Sequence, residues 1–185
     1  CIAGPRKCGK KFLVEAICSE MDAVIFDISP PNITAIKDVP KLLNLVMDLA
    51  RKFQPSVILV DGAHKLSIKR VTEAIKHEDP KKLGKFLNRY VVKQLTVEDA
   101  VVLIGTTSEP FNCSLSSLKS CYEKFLVFPS KLDYQTSVWA WKKGLELKRI
   151  YNFNASSLGE VTRNFTTGDI LGSIDSYVDL RRRVM

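Results

Sequence analysis

A glycine-bounded loop near the start of the chain constrains the fold most tightly. Gly4-Pro5-Arg6-Lys7-Cys8-Gly9-Lys10-Lys11 follows the short apolar run Cys1-Ile2-Ala3 and precedes the mostly apolar residues 12–17. A glycine turn between a strand and a helix aims backbone N–H groups and the helix N-terminus at an anion. The loop therefore predicts a phosphate-binding site made of Gly4, Pro5, Arg6, Lys7, Cys8, Gly9, Lys10 and Lys11. A tight βα turn with incidental lysines is the alternative interpretation.

The last position of this loop departs from the intact phosphate-binding motif. In that motif a lysine reaches the outer phosphates, and the Ser or Thr that follows it holds Mg²⁺ through its hydroxyl. Here Lys10 is followed by Lys11. An ammonium has three donors and no lone pair, so Lys11 cannot coordinate a cation. We interpret the loop as a phosphate cradle that lacks its metal ligand, and we assign no metal site.

Length and composition suit one compact α/β domain or a larger domain with a small appendage. The chain has 185 residues, of which 45% are hydrophobic and 26% charged. No run approaches the roughly 18 apolar residues of a membrane span, so we expect no membrane partner and a cytoplasmic location. Because the first strand is cut short, we expect the chain to be a piece of a longer protein.

Charge and cysteine content narrow the partners and the compartment. The net charge of +8 favours an acidic partner, which is a nucleotide, a nucleic acid or an acidic protein surface. The five cysteines are an odd number without metal-ligand spacing, which fits a reducing compartment. Nucleic acid is an unlikely partner, because the sequence has neither aromatic interleaving of its basic residues nor a recognised nucleic-acid module.

Apolar strands alternate with helices along the first 130 residues. The predicted strands cover residues 23–28, 56–62, 100–108 and 124–128, and the predicted helices cover 10–20 and begin again near Asp38 and Asp79. This alternation is typical of a parallel sheet with right-handed crossovers. Three helices follow, from Asp133, at 155–162 and from Thr167. We predict an α/β domain over residues 1–130 and a small helical lid over residues 131–185.

Two further features have both a functional and an ordinary interpretation. Asp61 follows the apolar strand of residues 57–60, at the strand end where α/β sheets place working residues. It is either a magnesium-associated aspartate or the end of a strand in a turn. The basic stripe, which we define as Lys82, Lys85, Arg89 and Lys93, either docks an acidic surface or is a solvated helix face.

The order of these elements, with their motifs, resembles an AAA ATPase module over essentially the whole chain. Residues 4–11 correspond to Walker A, residues 57–62 to Walker B, residues 103–110 to the sensor-1 strand, and Phe165-Thr166-Thr167-Gly168-Asp169-Ile170 to the start of the last lid helix. Four segments (residues 4–11, 53–57, 79–83 and 104–107) are similar to the IQ and AAA domain-containing proteins, a family that includes a subunit of the nexin–dynein regulatory complex of motile cilia.

The resemblance implies a nucleotide site and also several departures from it. Asp61, Ser108 and Gly168 join the loop as implied nucleotide-binding residues, with ATP or ADP as the cofactor and no well-held magnesium. Gly62 stands where Walker B needs its water-activating Glu. Ser108 stands where sensor 1 usually offers Asn, and Cys121 stands where the arginine finger is expected. We therefore assign no catalytic residue.

The expected function is that of a catalytically degenerate AAA domain. The resemblance implies a structural or interaction module of the axonemal nexin–dynein regulatory complex, with other subunits of that complex as partners near microtubule doublets in the cilium or flagellum. The alternative is an active AAA ATPase that remodels a ciliary complex, with a group such as Glu109 acting as the base. A basic nucleic-acid-binding fragment is a weaker third interpretation.

Overall fold

The computed structural model describes residues 1–33, 36–67, 80–96, 98–113, 115–129 and 131–184. Contacts divide the chain into two compact units. The first unit comprises Cys1–Gly4 and Lys10–Val127, and the second comprises Pro5–Gly9 and Phe128–Met185. The domain boundary that we placed after residue 130 stays a prediction.

The first unit is built on a five-stranded parallel sheet, as the alternating pattern predicts. Its strands are β1 (Ile2–Ala3), β2 (Val24–Asp27), β3 (Ser56–Asp61), β4 (Val101–Thr107) and β5 (Leu126–Val127), in the spatial order β2-β3-β4-β1-β5. In the register of β3 and β4, Asp61 lies opposite Thr106. Because all strands run in the same direction, their carboxyl ends meet at one edge of the sheet.

The helices of the first unit are α1 (Lys10–Glu20), α2 (Pro30–Ile33), α3 (Val39–Lys52), α4 (Pro80–Tyr90) and α5 (Leu115–Lys119). Asp38 caps α3, since its carboxylate accepts a hydrogen bond from the backbone N–H of Lys41. Asp79, the predicted start of α4, lies outside the described residues. Single 3₁₀ turns cover Ala63–Ser67, Val92–Gln94 and Pro110–Asn112.

The sequence pattern did not predict the short helix α2, between the strand of residues 23–28 and the helix near Asp38. The structure places Pro30 and Pro31 at the start of this helix. Proline is tolerated there because the first N–H groups of a helix have no intrahelical acceptor. The helix buries Ile33 in the core of the first unit, which consists largely of apolar residues of α3, β3 and α4, among them Leu43, Met47 and Ile58.

The second unit contains α6 (Tyr134–Leu147), α7 (Ala155–Val161) and α8 (Thr167–Val184). Its core includes Ala140, Trp141, Leu145, Ile170 and Ile174. The indole N–H of Trp141 donates to the Thr162 hydroxyl at 2.8 Å, and that hydroxyl donates to the carbonyl of Leu158. Across the described part of the chain, no helix combines the length and the apolar character needed to cross a membrane.

Candidate functional site

The two ends of the predicted phosphate loop belong to the first unit. The backbone N–H of Gly4 donates to the carbonyl of Thr107 at 3.0 Å, which continues the pairing of β1 with β4. The Lys10 ammonium donates to the carbonyl of Gly4 at 3.0 Å. Helix α1 begins at Lys10. Within the first unit, the end of a strand and the start of a helix thus flank the loop, which is the setting typical of a phosphate loop.

Lys11 pairs with Asp27, a residue that ends the strand β2. The Lys11 ammonium lies 3.3 Å from the Asp27 carboxylate. The second oxygen of that carboxylate accepts from the hydroxyl and, at 3.0 Å, from the backbone N–H of Ser29. Burial pushes the pKa of Asp27 upward, but the hydrogen bonds from Ser29 and the ammonium of Lys11 outweigh it and hold the pKa below its ordinary value.

The hydroxyl of Ser29 extends this arrangement to Asp61. Ser29 Oγ accepts the backbone N–H of Asp61 at 2.8 Å. The Asp61 carboxylate in turn accepts a hydrogen bond from the hydroxyl of Thr106 on β4. We call the five residues Lys11, Asp27, Ser29, Asp61 and Thr106 the strand-end network. It joins the carboxyl ends of three neighbouring strands to the first turn of α1.

Gly62 occupies the position where the resemblance calls for a water-activating Glu, and its backbone favours glycine. Its φ is +78°, a left-handed conformation that residues with a side chain rarely adopt. A Cβ built at this position meets nothing closer than 3.7 Å, so backbone conformation rather than space disfavours a side chain. The Gly62 N–H also lies 3.4 Å from the Thr106 hydroxyl oxygen. A Glu here is therefore both missing and conformationally disfavoured.

Ser108 lies in the bend that follows β4, two residues beyond Thr106. Thr107, between them, has its hydroxyl 3.2 Å from Nδ1 of His64 and accepts the backbone N–H of Glu109 at 3.2 Å. The side chain of β4 that contacts the Asp61 carboxylate is that of Thr106, to which the sequence had assigned no role. The sensor role of Ser108 and the role of Glu109 as a base stay predictions.

The middle of the loop belongs to the second unit, together with Gly168. Lys7, which lies in the same segment as Pro5, Arg6 and Cys8, has a φ of +60°, unusual for a residue with a side chain. Its carbonyl accepts the backbone N–H of Gly168 at 2.8 Å, and its ammonium lies 3.2 Å from the Asp169 carboxylate. A Cβ at position 168 would lie 2.6 Å from that carbonyl, so only glycine permits this approach.

Asp169 is held by the first turn of α8 as well as by Lys7. Hydrogen bonds from the side chain and backbone of Thr166, followed by the Lys7 ammonium, lower the pKa of Asp169 below its ordinary value. Asp169 therefore stays ionised at neutral pH and keeps a charged partner for Lys7. The nucleotide-binding role of Gly168 stays a prediction, since its contact with Lys7 alone accounts for the glycine.

A buried tyrosine follows Cys121, which stands at the arginine-finger position. Tyr122 is 5% exposed, and among the described residues its hydroxyl finds no hydrogen-bond partner. Burial raises the pKa of Tyr122 well above its ordinary value. The ring fills the space above Gly105 on β4, where an added Cβ would lie 2.4 Å from the ring carbon that bears the hydroxyl. Tyr122 is therefore a core residue whose polar atom lacks a partner in the described chain.

The loop residues suit a nucleotide phosphate, but they do not suit the magnesium ion that usually accompanies it. The loop keeps glycines at positions 4 and 9. Gly9 has a φ of +90° and open space where a Cβ would be, which suits close approach of a phosphate. Magnesium does not fit at position 11, since the Lys11 ammonium offers no lone pair and is paired with Asp27. Among the described residues, no three His, Cys, Asp or Glu side chains form a metal-binding cluster.

Sequence reasoning missed the roles of Asp27, Ser29 and Thr106. Asp27 had a usable signal, because it ends an apolar strand just as Asp61 does, and parallel strands end at one edge. Thr106 would have required the register of β3 against β4, which places it opposite Asp61. The contacts of Ser29 with both aspartates had no signal in sequence spacing.

Comparison with known proteins identifies the family. The model of the ATPase family associated with various cellular activities (AAA) matches residues 1–130. The chain belongs to the AAA family. The assignment of residues 4–11, 57–62 and 103–110 to Walker A, Walker B and sensor 1 stays a prediction. The match confirms both the expected family and the expected α/β architecture.

Curated relatives add a closer similarity over nearly the whole chain. The chain is 33% identical to Dynein regulatory complex protein 11 of Mus musculus over an alignment of 193 positions. This alignment covers 98% of this chain and 22% of that protein. It is 26% identical to the A-like 2 form of the katanin p60 ATPase-containing subunit from Xenopus tropicalis, over 90% of this chain and 32% of that protein. The chain thus spans between about a fifth and a third of the length of these two relatives.

Two solved AAA structures share the fold. A structure concerned with katanin self-assembly matches with a TM-score of 0.71 and 24% identity, over 92% of this chain and 54% of the other. The FIGL-1 AAA domain in complex with ADP matches with a TM-score of 0.69 and 20% identity, over 92% of this chain and 56% of the other. At these identities the match supports the fold alone.

Proposed function

We propose that this AAA domain binds ATP or ADP without a well-held magnesium ion, does not hydrolyse it, and acts as a structural and interaction module of an axonemal dynein regulatory complex. The observation that carries the proposal is the pairing of Lys11 with Asp27 at 3.3 Å, at the position where a metal-holding hydroxyl belongs. A cation supplied by the chain itself stands there in place of an oxygen ligand.

The loss of hydrolysis is supported by three positions. Lys11 removes the metal ligand, Gly62 removes the water-activating carboxylate, and Cys121 stands where the finger arginine is expected. A general base contributes roughly 10² to 10⁴ in rate and an arginine finger roughly 10³ to 10⁵. A finger can come from another chain, but neither Lys11 nor Gly62 can be replaced in that way. Their combined loss leaves no useful turnover.

Retention of nucleotide is supported by the parts of the loop that remain. Gly4, Gly9 and Lys10 keep the residue types that hold phosphates, and the FIGL-1 domain of the same fold is in complex with ADP. In this proposal Lys11 exchanges Asp27 for a phosphate oxygen and neutralises charge that magnesium otherwise neutralises. Nucleotide binding therefore releases Asp27 from its ion pair.

The cellular role is inferred from the similarity to Dynein regulatory complex protein 11. That similarity supports other subunits of an axonemal complex as partners and the cilium or flagellum, within the cytoplasm, as the location. Neither a membrane nor a nucleic acid is part of the proposal. The competing candidate is an active ATPase, which is favoured by the ATPase-containing katanin relative.

Calorimetric titration of the chain with ADP and with ATP, with Mg²⁺ and then with EDTA, tests the nucleotide part of the proposal. We expect the dissociation constants to change less than about twofold on adding EDTA, since Lys11 replaces the ion. The matched variant Lys11→Thr restores the hydroxyl, and its ATP affinity should become sensitive to EDTA. Wild-type binding that collapses in EDTA would contradict the role of Lys11.

Steady-state phosphate release tests the absence of hydrolysis on the same samples. Wild type should not exceed the rate of the Lys10→Ala control, in which the phosphate-binding ammonium is lost. Turnover near the ~1 s⁻¹ low end of typical enzymes, abolished by Lys10→Ala, would establish the active ATPase instead.

A further inference from the structure

The exposed side of α4 carries the basic stripe, and the sequence of this helix contains no carboxylate. Lys82, Lys85 and Arg89 fall within an arc of about 60° at 3.6 residues per turn, and Lys93 continues the row just past the helix end. All four side chains are exposed, while Leu83 and Leu87 of the same helix are buried in the core. The row is about 16 Å long at 1.5 Å per residue.

Several exposed basic side chains of the second unit are paired with carboxylates. Lys143 lies 3.0 Å from Glu146, Lys148 lies 2.7 Å from Asp175, and Arg163 contacts Glu160. In the part of the chain that the structure describes, none of the four residues of the basic stripe has such an ion pair. Like charges three and four residues apart destabilise a helix, so the stripe works against the helix that carries it. An ordinary solvated face mixes both signs of charge and avoids this repulsion.

Two aromatic rings contact cations of the basic stripe, and these contacts indicate which kind of polyanion the stripe can bind. The Lys82 ammonium lies 5.8 Å from the centre of the Phe86 ring, and the Arg89 guanidinium lies 5.6 Å from the centre of the Tyr90 ring. Cation–π contacts of this kind restrict the positions of the two charges. Single-stranded nucleic acids bind through exposed aromatic faces on which bases stack. Here the protein's own cations lie over these two rings, which leaves a row of charges without a stacking platform.

We propose that the basic stripe of α4 docks an extended acidic segment of a partner protein, rich in Glu or Asp. The proposal rests on the proposed role as an interaction module, to which it adds the chemistry of one partner. It involves no residue of the strand-end network or of the nucleotide loop. A polyanionic segment along the row offsets three repulsive neighbour pairs with four attractive contacts, which explains why the helix lacks its own carboxylates.

Fluorescence anisotropy with a labelled oligoglutamate of about ten residues, which exceeds the ~16 Å row when extended, tests this on the full 185-residue chain. The test variant is Lys85→Glu, and Lys142→Glu on α6 is its control, since it makes the same change in net charge at another exposed lysine. We expect Lys85→Glu to weaken peptide binding roughly tenfold or more, Lys142→Glu less than about twofold, and Lys85→Arg to keep wild-type affinity.

Stability and nucleotide affinity, measured on the same samples, separate this proposal from unfolding and from the proposed function. Lys85→Glu places a carboxylate between Lys82 and Arg89, so the melting temperature should rise by about 2 °C while peptide binding falls. ADP affinity should remain that of wild type, whichever way the EDTA titration turns out.

Two results would overturn the docking site. One is equal weakening of peptide binding by Lys85→Glu and Lys142→Glu, which would mean that only net charge matters. The other is tighter binding of an oligonucleotide of similar charge, lost in Lys85→Glu, which would assign the stripe to nucleic acid.

Discussion

Lys11 stands where the resemblance places a metal-holding hydroxyl, and it also pairs with a strand-end carboxylate. Its ammonium lies 3.3 Å from Asp27, whose other oxygen is held by Ser29, and Ser29 accepts the N–H of Asp61. One substitution in the loop therefore affects the ends of two strands. The pair is partly exposed, so its contribution to stability is limited by solvent screening.

The pH dependence of stability should reveal this pair. Because the folded pKa of Asp27 is lower than its unfolded value near 3.8, its contribution is fully present above that value and is lost as pH falls through the folded pKa. Asp27→Asn should therefore lower the melting temperature at neutral pH, and the free energy of unfolding should fall by at most about 1 kcal/mol. The difference from wild type should vanish in strong acid.

Thermal melts of both proteins at a series of pH values measure this difference. Lys11→Met is the matched control, because it removes the other partner and should cost little more when combined with Asp27→Asn. A deficit that persists unchanged below the folded pKa would mean that Asp27 acts through packing rather than through its charge.

Gly105 and Tyr122 show how one glycine can be fixed by the ring packed on it. A methyl group at position 105 would overlap the tip of a ring that is 5% exposed and closely surrounded. Gly105→Ala should therefore lower the free energy of unfolding by about 1 to 3 kcal/mol, the usual cost of overpacking.

Tyr122→Phe should raise the free energy of unfolding by about 1 kcal/mol, since it removes a buried hydroxyl without a partner among the described residues.

Chemical denaturation of Gly105→Ala, Tyr122→Phe, Tyr122→Leu and the double variant Gly105→Ala/Tyr122→Leu checks the contact. The smaller side chain should relieve the overlap, so the double variant should be more stable than the sum of the two single changes allows. Strict additivity would show that the ring moves aside and that the contact does not constrain position 105.

At the scale of elements, a buried hydrogen bond links α6 to the C-terminal end of α7. The Thr162 hydroxyl, just past the end of α7, accepts the indole N–H of Trp141 on α6 at 2.8 Å. Thr162→Val keeps the shape and leaves the indole N–H without this acceptor in a core residue that is 6% exposed. We expect a loss of about 1 to 3 kcal/mol in the free energy of unfolding.

Tryptophan fluorescence during urea unfolding measures this effect, and Thr162→Ser is the control that keeps the hydroxyl. The serine variant should lose clearly less than the valine variant. Equal losses would assign the effect to the methyl group and not to the hydrogen bond.

At the scale of the whole molecule, the sequence predicted what depends on local pattern. A helix over residues 10–20 and a strand over residues 56–62 follow from apolar spacing and glycine turns. The structure has the helix at Lys10–Glu20 and the strand one residue shorter, at Ser56–Asp61. The helix at Pro30–Ile33 was missed because a double proline marks a helix start as well as a stop. The AAA family itself could be predicted from the sequence, because several short motifs occur along the chain in the order typical of that family.

The candidate site was harder to predict from the sequence, because it depends on contacts between positions that are distant along the chain. Asp27 is aligned with the end of β3 by the pairing of β2 with β3, and Asp61 meets Thr106 through the register of β3 with β4. The positive φ of Lys7 could not be expected, since glycine is the usual residue in that conformation. Spacing along the chain contains neither kind of information.

The contact of Lys7 with the first turn of α8 links the loop segment to a long helix of the second unit. The loop carbonyl and the N–H of Gly168 are joined at 2.8 Å, and the helix that starts there runs for 18 residues, or about 27 Å. Beyond this contact, Ile170 and Ile174 of the same helix pack in the core of the second unit together with Trp141. The fluorescence of Trp141 is therefore a built-in reporter of events at the loop segment of that unit.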